Sequence, residues 1–179
     1  MKNLTISRSI ILLMTGMLFS SVLWAQADKS KRPSPPATAT GKVNGATITI
    51  NYSSPSVKGR KIWGELVPYD QVWRAGANEA TIFQTDKDIQ VEGKTLKAGK
   101  YSLYAIPGEK TWTIIFNSQT GQWGIKMDGS TTEDPAKDAL RVTVTPRKAD
   151  TFHESLAYTV DKNGFALVWE NLAVPVKVK

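Results

Sequence analysis

The sequence predicts an all-β antiparallel domain, a β-sandwich or jelly-roll-like fold with one long irregular insertion containing short helical turns. Three observations carry that reading. Short runs alternate apolar and polar residues with a period of two, turn signals rich in Gly, Asn and Asp separate them, and no run keeps the 3.6-residue period of a long amphipathic helix.

Residues 1–27 read as a signal peptide. Lys2 and Arg8 form a basic start, Ile10 to Ala25 a short apolar run, and Ala25-Gln26-Ala27 a small-x-small cleavage site. Thr15, Gly16, Ser20 and Ser21 interrupt that run, which falls short of the roughly 20 apolar residues of a spanning helix. The expected product is an exported protein, periplasmic or secreted, with no transmembrane anchor after cleavage. Residues 28–37 form a Pro-rich opening segment, kept extended by Pro33, Pro35 and Pro36. Residues 38–179 then form a single β domain. The chain has no Cys, so the domain must be held by its hydrophobic core.

Within it, Asn44-Gly45 is a two-residue hairpin signal, and Ile48, Ile50 and Tyr52 alternate with polar neighbours after it. Ile89 and Val91 lead through Glu92-Gly93 to Leu96. Tyr101, Leu103 and Ala105 follow, then Trp112, Ile114 and Phe116, then Leu140, Val142 and Val144. Leu156, Tyr158 and Val160 join Phe165, Leu167 and Trp169 through a turn at 161–164, and Val174, Val176 and Val178 close the pattern.

Residues 53–79 break this rhythm and gather Lys58, Arg60, Lys61, Trp63, Tyr69, Trp73, Arg74 and Asn78. Asp70 is placed to cap a short helical turn over Gln71–Arg74, ended by Gly76. Insertions of this length in compact domains are functional, packed as Ω-loops, or disordered, and two Trp residues argue against disorder.

The stretch 52–64, Tyr-Ser-Ser-Pro-Ser-Val-Lys-Gly-Arg-Lys-Ile-Trp-Gly, resembles the bacterial domain-of-unknown-function family DUF2911. Leu66 to Tyr69, Val72 to Thr81, Ala98 to Leu103 and Trp112 to Asn117 extend the resemblance over nearly all of the domain after residue 27. It implies an exported bacterial domain without an established biochemical role. Where the family pattern often carries Arg, this chain has Ser54.

The 23 basic and 16 acidic residues give a formal charge of +7, which falls to +5 when Lys2 and Arg8 leave with the signal. That excess suits contact with anionic envelope material as well as solubility. The basic residues are scattered without a nucleic-acid-binding motif, so nucleic acid is not expected as a partner. His153 is the only His, on the polar side of its strand, and no Gly-x-Ser-x-Gly elbow accompanies it. Gly59 and Gly64 have P-loop spacing, but Glu65 and Leu66 stand where Lys and Ser or Thr are required. One His and no Cys do not make a usual zinc site, and the acids between Asp128 and Asp138 lack calcium-loop spacing. Neither a metal nor a cofactor is expected.

The candidate ligand-binding residues are Lys58, Arg60, Trp63, Trp73, Arg74, Asn78 and Glu79. Indole faces stack on flat ligands, and the cations and amide donate hydrogen bonds. The competing structural reading has both Trp residues sealing one end of the sandwich, with Arg60 or Arg74 anchoring the loop on Glu79 or Asp70. The functional expectation is a non-catalytic binding module for a carbohydrate or an anionic envelope component. Its alternative is a carboxylate-dependent hydrolase or lyase.

Overall fold

A computed structural model describes residues 28–179; the signal-peptide reading falls on 1–27, outside the described residues. Asp28–Arg32 carry one 3-10 turn at Lys29–Lys31, where the Asp28 carboxylate accepts from the Ser30 backbone N–H. Pro33–Lys179 form a separate compact unit. Its start falls inside the expected opening segment, and its first strand begins at Pro36, two residues before the expected domain boundary.

The unit is all-β. Its ten strands are β1 (Pro36–Val43), β2 (Ala46–Ser53), β3 (Thr81–Thr85), β4 (Ile89–Val91), β5 (Lys94–Leu96), β6 (Gly99–Ile106), β7 (Trp112–Asn117), β8 (Asp138–Val144), β9 (Arg147–Asp161) and β10 (Gly164–Lys177). Asn44 and Gly45, at φ 48° and 81°, make the left-handed turn that joins β1 to β2. The main sheet is antiparallel in the order β1-β2-β3-β6-β7-β8.

The β9–β10 hairpin supplies the second layer. After Ser53 the chain leaves the main sheet and runs beside β9, with Leu156 N–H donating to Pro55 O (2.9 Å) and Val57 N–H to Glu154 O (2.7 Å). On the other flank the β4–β5 hairpin meets the end of β10, where Gln90 and Lys179 exchange two backbone hydrogen bonds of 2.8 and 2.9 Å. Both edges of the hairpin are therefore partly covered.

Alternation explains the core. Val43, Ile48, Ile50, Leu103 and Phe116 point inward from the main sheet and meet Leu156, Phe165, Leu167, Val174 and Val176 from the hairpin, all nearly or fully buried. Each such side chain contributes about 1.5–3 kcal/mol by leaving water. At Gly41 the layers approach so closely that a Cβ would lie 2.9 Å from the Val160 side chain and carbonyl oxygen.

Two features differ from the sequence reading. Strand β3 was not signalled, because its inward residues are Thr81, Phe83 and Thr85, and two buried threonines hide the apolar period. The helical turn over Gln71–Arg74 does not form. Beyond Leu103 the β3-facing edge of β6 is open, and the chain satisfies it: Trp73 N–H donates to Ala105 O (2.7 Å), Ala105 N–H to Trp73 O (2.9 Å), and Asp70 N–H to Pro107 O (2.8 Å). An open strand edge thus outcompetes a one-turn helix. Among the described residues the only helical turns are the 3-10 pieces at Lys29–Lys31 and Pro135–Lys137, neither in the insertion.

Candidate functional site

The insertion packs as a scaffold around four indoles. The Trp63 ring lies 5.9, 5.0 and 5.7 Å from those of Trp73, Trp112 and Trp169, edge to face, while Trp73 and Trp169 stack at 6.1 Å and 15°. Offset and edge-on pairs of this kind add about 0.5–1.5 kcal/mol each beyond burial. The sealing role weighed for Trp63 and Trp73 therefore describes their packing. Trp73 also faces outward, because it and Trp169 line a cleft of about 490 Å³.

A corner of strained backbone positions the next residue, Arg74. Ala75 is buried at φ 52°, a left-handed conformation that costs a non-glycine residue about 1–2 kcal/mol. Two buried hydroxyls hold its carbonyl, Tyr158 at 2.8 Å and Thr81 at 3.0 Å. Burial pushes the Tyr158 hydroxyl far above its ordinary pKa, so it stays a donor. Gly76 follows because a Cβ there would sit 2.7 Å from Thr81 Oγ1.

A second segment closes over Arg74. Residues 118–132 are tied to the insertion by Gly124 N–H to Asn78 O (3.0 Å) and Ala80 N–H to Gln122 O (3.2 Å), and to the outer face of β6 by Gln122 Nε2 donating to Tyr104 OH (2.9 Å). Gly124 lies over the Arg74 stem, where a Cβ would come within 2.3 Å of Arg74 Cδ.

The Arg74 guanidinium is half-buried and holds one long hydrogen bond, from Nε to Gly76 O at 3.4 Å. Its Nη1 is buried with no acceptor, and among the described residues no acid pairs with it. Desolvation lowers its pKa, and an Arg stays ionised nonetheless. A charged N–H left without a partner costs more than the roughly 1–3 kcal/mol of a neutral one.

The structure gathers three of the seven candidates, Arg60, Trp73 and Arg74, at the cleft. Arg60 serves the loop itself, donating from Nη2 to Ser56 O (2.5 Å) and from Nε to Val57 O (3.0 Å). Trp63 belongs to the indole cluster. Lys58 is exposed, and its backbone N–H bonds Glu154 Oε1 at 2.9 Å. Asn78 donates from Nδ2 to Ser34 O (3.0 Å), and Glu79 bridges Trp123 through the backbone. Among the described residues neither Arg60 nor Arg74 forms an ion pair with Asp70, one of the two acids in the anchoring reading.

Sequence reasoning did not place Leu66, Val72, Ile125 and Trp169 in the cleft wall. Trp169 reads as a core strand residue, and Ile125 comes from a stretch about 50 residues beyond the insertion, so no local signal joins them. The wall includes no Asp, Glu or His, hence no side chain with an ordinary pKa for acid–base chemistry. His153 faces Glu170 at a bulge and does not line it. A larger trough of about 640 Å³ runs along the β9–β10 hairpin, but none of its side chains has a buried, unpaired polar atom. Among the described residues no group of three or more His, Cys, Asp or Glu is arranged to hold a metal.

A family model described as "Protein of unknown function (DUF2911)" matches residues 34–178, the span that contains every element of the cleft. Comparisons with curated proteins and with solved structures return no match.

Proposed function

From the premise that the chain belongs to the DUF2911 family, which brings no reaction with it, we propose that the domain is a binding module whose anionic ligand occupies the Trp73–Arg74 cleft. One observation carries the reading: a half-buried guanidinium with a buried, unpartnered Nη1 in a cleft wall. Folding left that charge without an acid, and an anion in the cleft supplies the missing acceptor once the buried Nη1 turns toward it. The absence of acids and His from the wall favours binding over hydrolysis. The reading of residues 1–27 as an export signal supports a ligand met outside the cytoplasm, in the periplasm or beyond it.

Because Trp73 and Trp169 line the cleft, a titration followed by Trp fluorescence reads occupancy directly. Glucuronate, inorganic phosphate, octanoate and neutral oligosaccharides form the panel. An anion should perturb the emission, and Arg74→Ala should weaken that anion while the circular dichroism spectrum is kept. If neutral oligosaccharides bind and Arg74→Ala binds them equally well, the anion reading is wrong.

A further inference from the structure

We infer, resting on the cleft reading above, that the ligand is an amphiphilic monocarboxylate, an apolar chain or ring ending in a single carboxylate. The unmet polar groups are the first argument. Arg74 Nη1 and Trp169 Nε1 are both N–H donors on cleft-lining residues, both buried and both without an acceptor. No lining side chain has a buried, unpaired acceptor; Gln122 Oε1 is orphaned, but Gln122 is not in the wall. The complementary atoms are therefore acceptors, and a carboxylate is acceptor-only, whereas a sugar hydroxyl brings a donor that would have to turn to Ser34, Gln71, Thr131 or solvent.

Which cation still has donors to offer is the second argument. Of the two cations in the wall, Arg60 already donates to two backbone carbonyls, so Arg74 is the one whose bonding is unfilled. A single guanidinium matches a single negative charge in bidentate geometry. Arg60 keeps its own positive charge while it donates to those carbonyls, so the preference for one carboxylate rests on the single guanidinium whose hydrogen bonds are unfilled and not on net charge.

The walls are the third. Leu66, Val72, Trp73 and Ile125 present aliphatic and indole surface, and Leu66 is 43% exposed. A large apolar side chain left in water beside a cation suits the body of an amphiphile. A volume of about 490 Å³ lies within the roughly 300–1,000 Å³ of small-molecule sites.

Titration calorimetry of the domain with octanoate, octanol and glucuronate separates the possibilities. Octanoate should bind, octanol at least about tenfold more weakly, and Arg74→Ala should lose about tenfold to a hundredfold in octanoate affinity, the range for a hydrogen bond to a charged group. Arg74→Lys, which keeps the stem under Gly124 and the charge, should recover part of that loss. Leu66→Asp alters an exposed side chain, so it keeps the fold and tests the site even if Arg74→Ala unfolds; it should also weaken octanoate about tenfold or more. Octanoate that fails to bind at millimolar concentration, or binds no better than octanol, overturns the inference. If glucuronate binds through Arg74 while octanoate does not, the amphiphile falls and the anion-binding reading stands. If no anion depends on Arg74, both fall together.

Discussion

Ala75 O is the point at which the site can be loosened by single oxygens. Tyr158→Phe removes one of its two donors and Thr81→Val the other, each with little change of volume, at positions that are fully or nearly fully buried. After either change alone the carbonyl keeps one hydrogen bond, so each should cost only the net value of a bond, about 1 kcal/mol. That corresponds to roughly 4 °C in Tm for a domain of this size. With both gone, no other donor among the described residues reaches the carbonyl, and a buried, unsatisfied acceptor costs about 1–3 kcal/mol more. The double variant should therefore exceed the sum of the singles by about 1 kcal/mol or more, read from urea midpoints at constant slope. Because Tyr158 stays protonated, its cost should be flat from about pH 5 to pH 9. Strict additivity, or a Tyr158→Phe variant as stable as the parent, would refute the claim that these hydroxyls hold the left-handed corner beside Arg74.

Further outcomes follow from the same geometry. Gly124→Ala places a methyl within 2.3 Å of Arg74 Cδ; it should displace the guanidinium and weaken anion binding about as much as Arg74→Ala, measured by fluorescence titration. Gly164→Ala meets the Val176 carbonyl oxygen at 2.1 Å with φ +143° and should cost about 2–4 kcal/mol in urea unfolding. Gly59→Ala, at φ +67° with open space around it, should cost only about 1 kcal/mol. Burial and the neighbouring Asp138 raise the Glu133 carboxyl above its usual pKa, although Arg141 pairs with it at 2.8 Å. The folded state thus holds that proton to higher pH than the unfolded chain, and the stability it contributes is full at low pH and lost as pH rises through the raised value. Glu133→Gln should flatten that part of the pH–stability curve.

The strands were legible wherever inward residues were apolar. Ile48 and Ile50, Trp112 to Phe116, and Leu156 to Trp169 fall on the core face that their alternation predicts. Strand β3 escaped because threonine at Thr81 and Thr85 carries no hydropathy signal. The capping pattern at Asp70 is a local preference worth about 1 kcal/mol, whereas the open edge of β6 offered Trp73 two backbone hydrogen bonds. For the site, composition singled out the insertion and within it Arg60, Trp73 and Arg74, which line the cleft. It did not distinguish them from Lys58 or Asn78, whose bonds serve the loop. That distinction depends on which donors find acceptors after folding, and a one-dimensional pattern contains no such count.

The pairing of β4 with the end of β10 bears on timing. Gln90 waits for Lys179, and Glu92 for Lys177, so a flank of the second layer formed early in the chain is completed only by residues 177–179. Contacts separated by nearly 90 positions close slowly because the intervening loop must be ordered first. During synthesis, the β4–β5 hairpin is made long before its partner strand has left the ribosome. The chain therefore spends that interval as an unfinished sandwich with an uncovered edge, the state from which strands pair with the wrong neighbour.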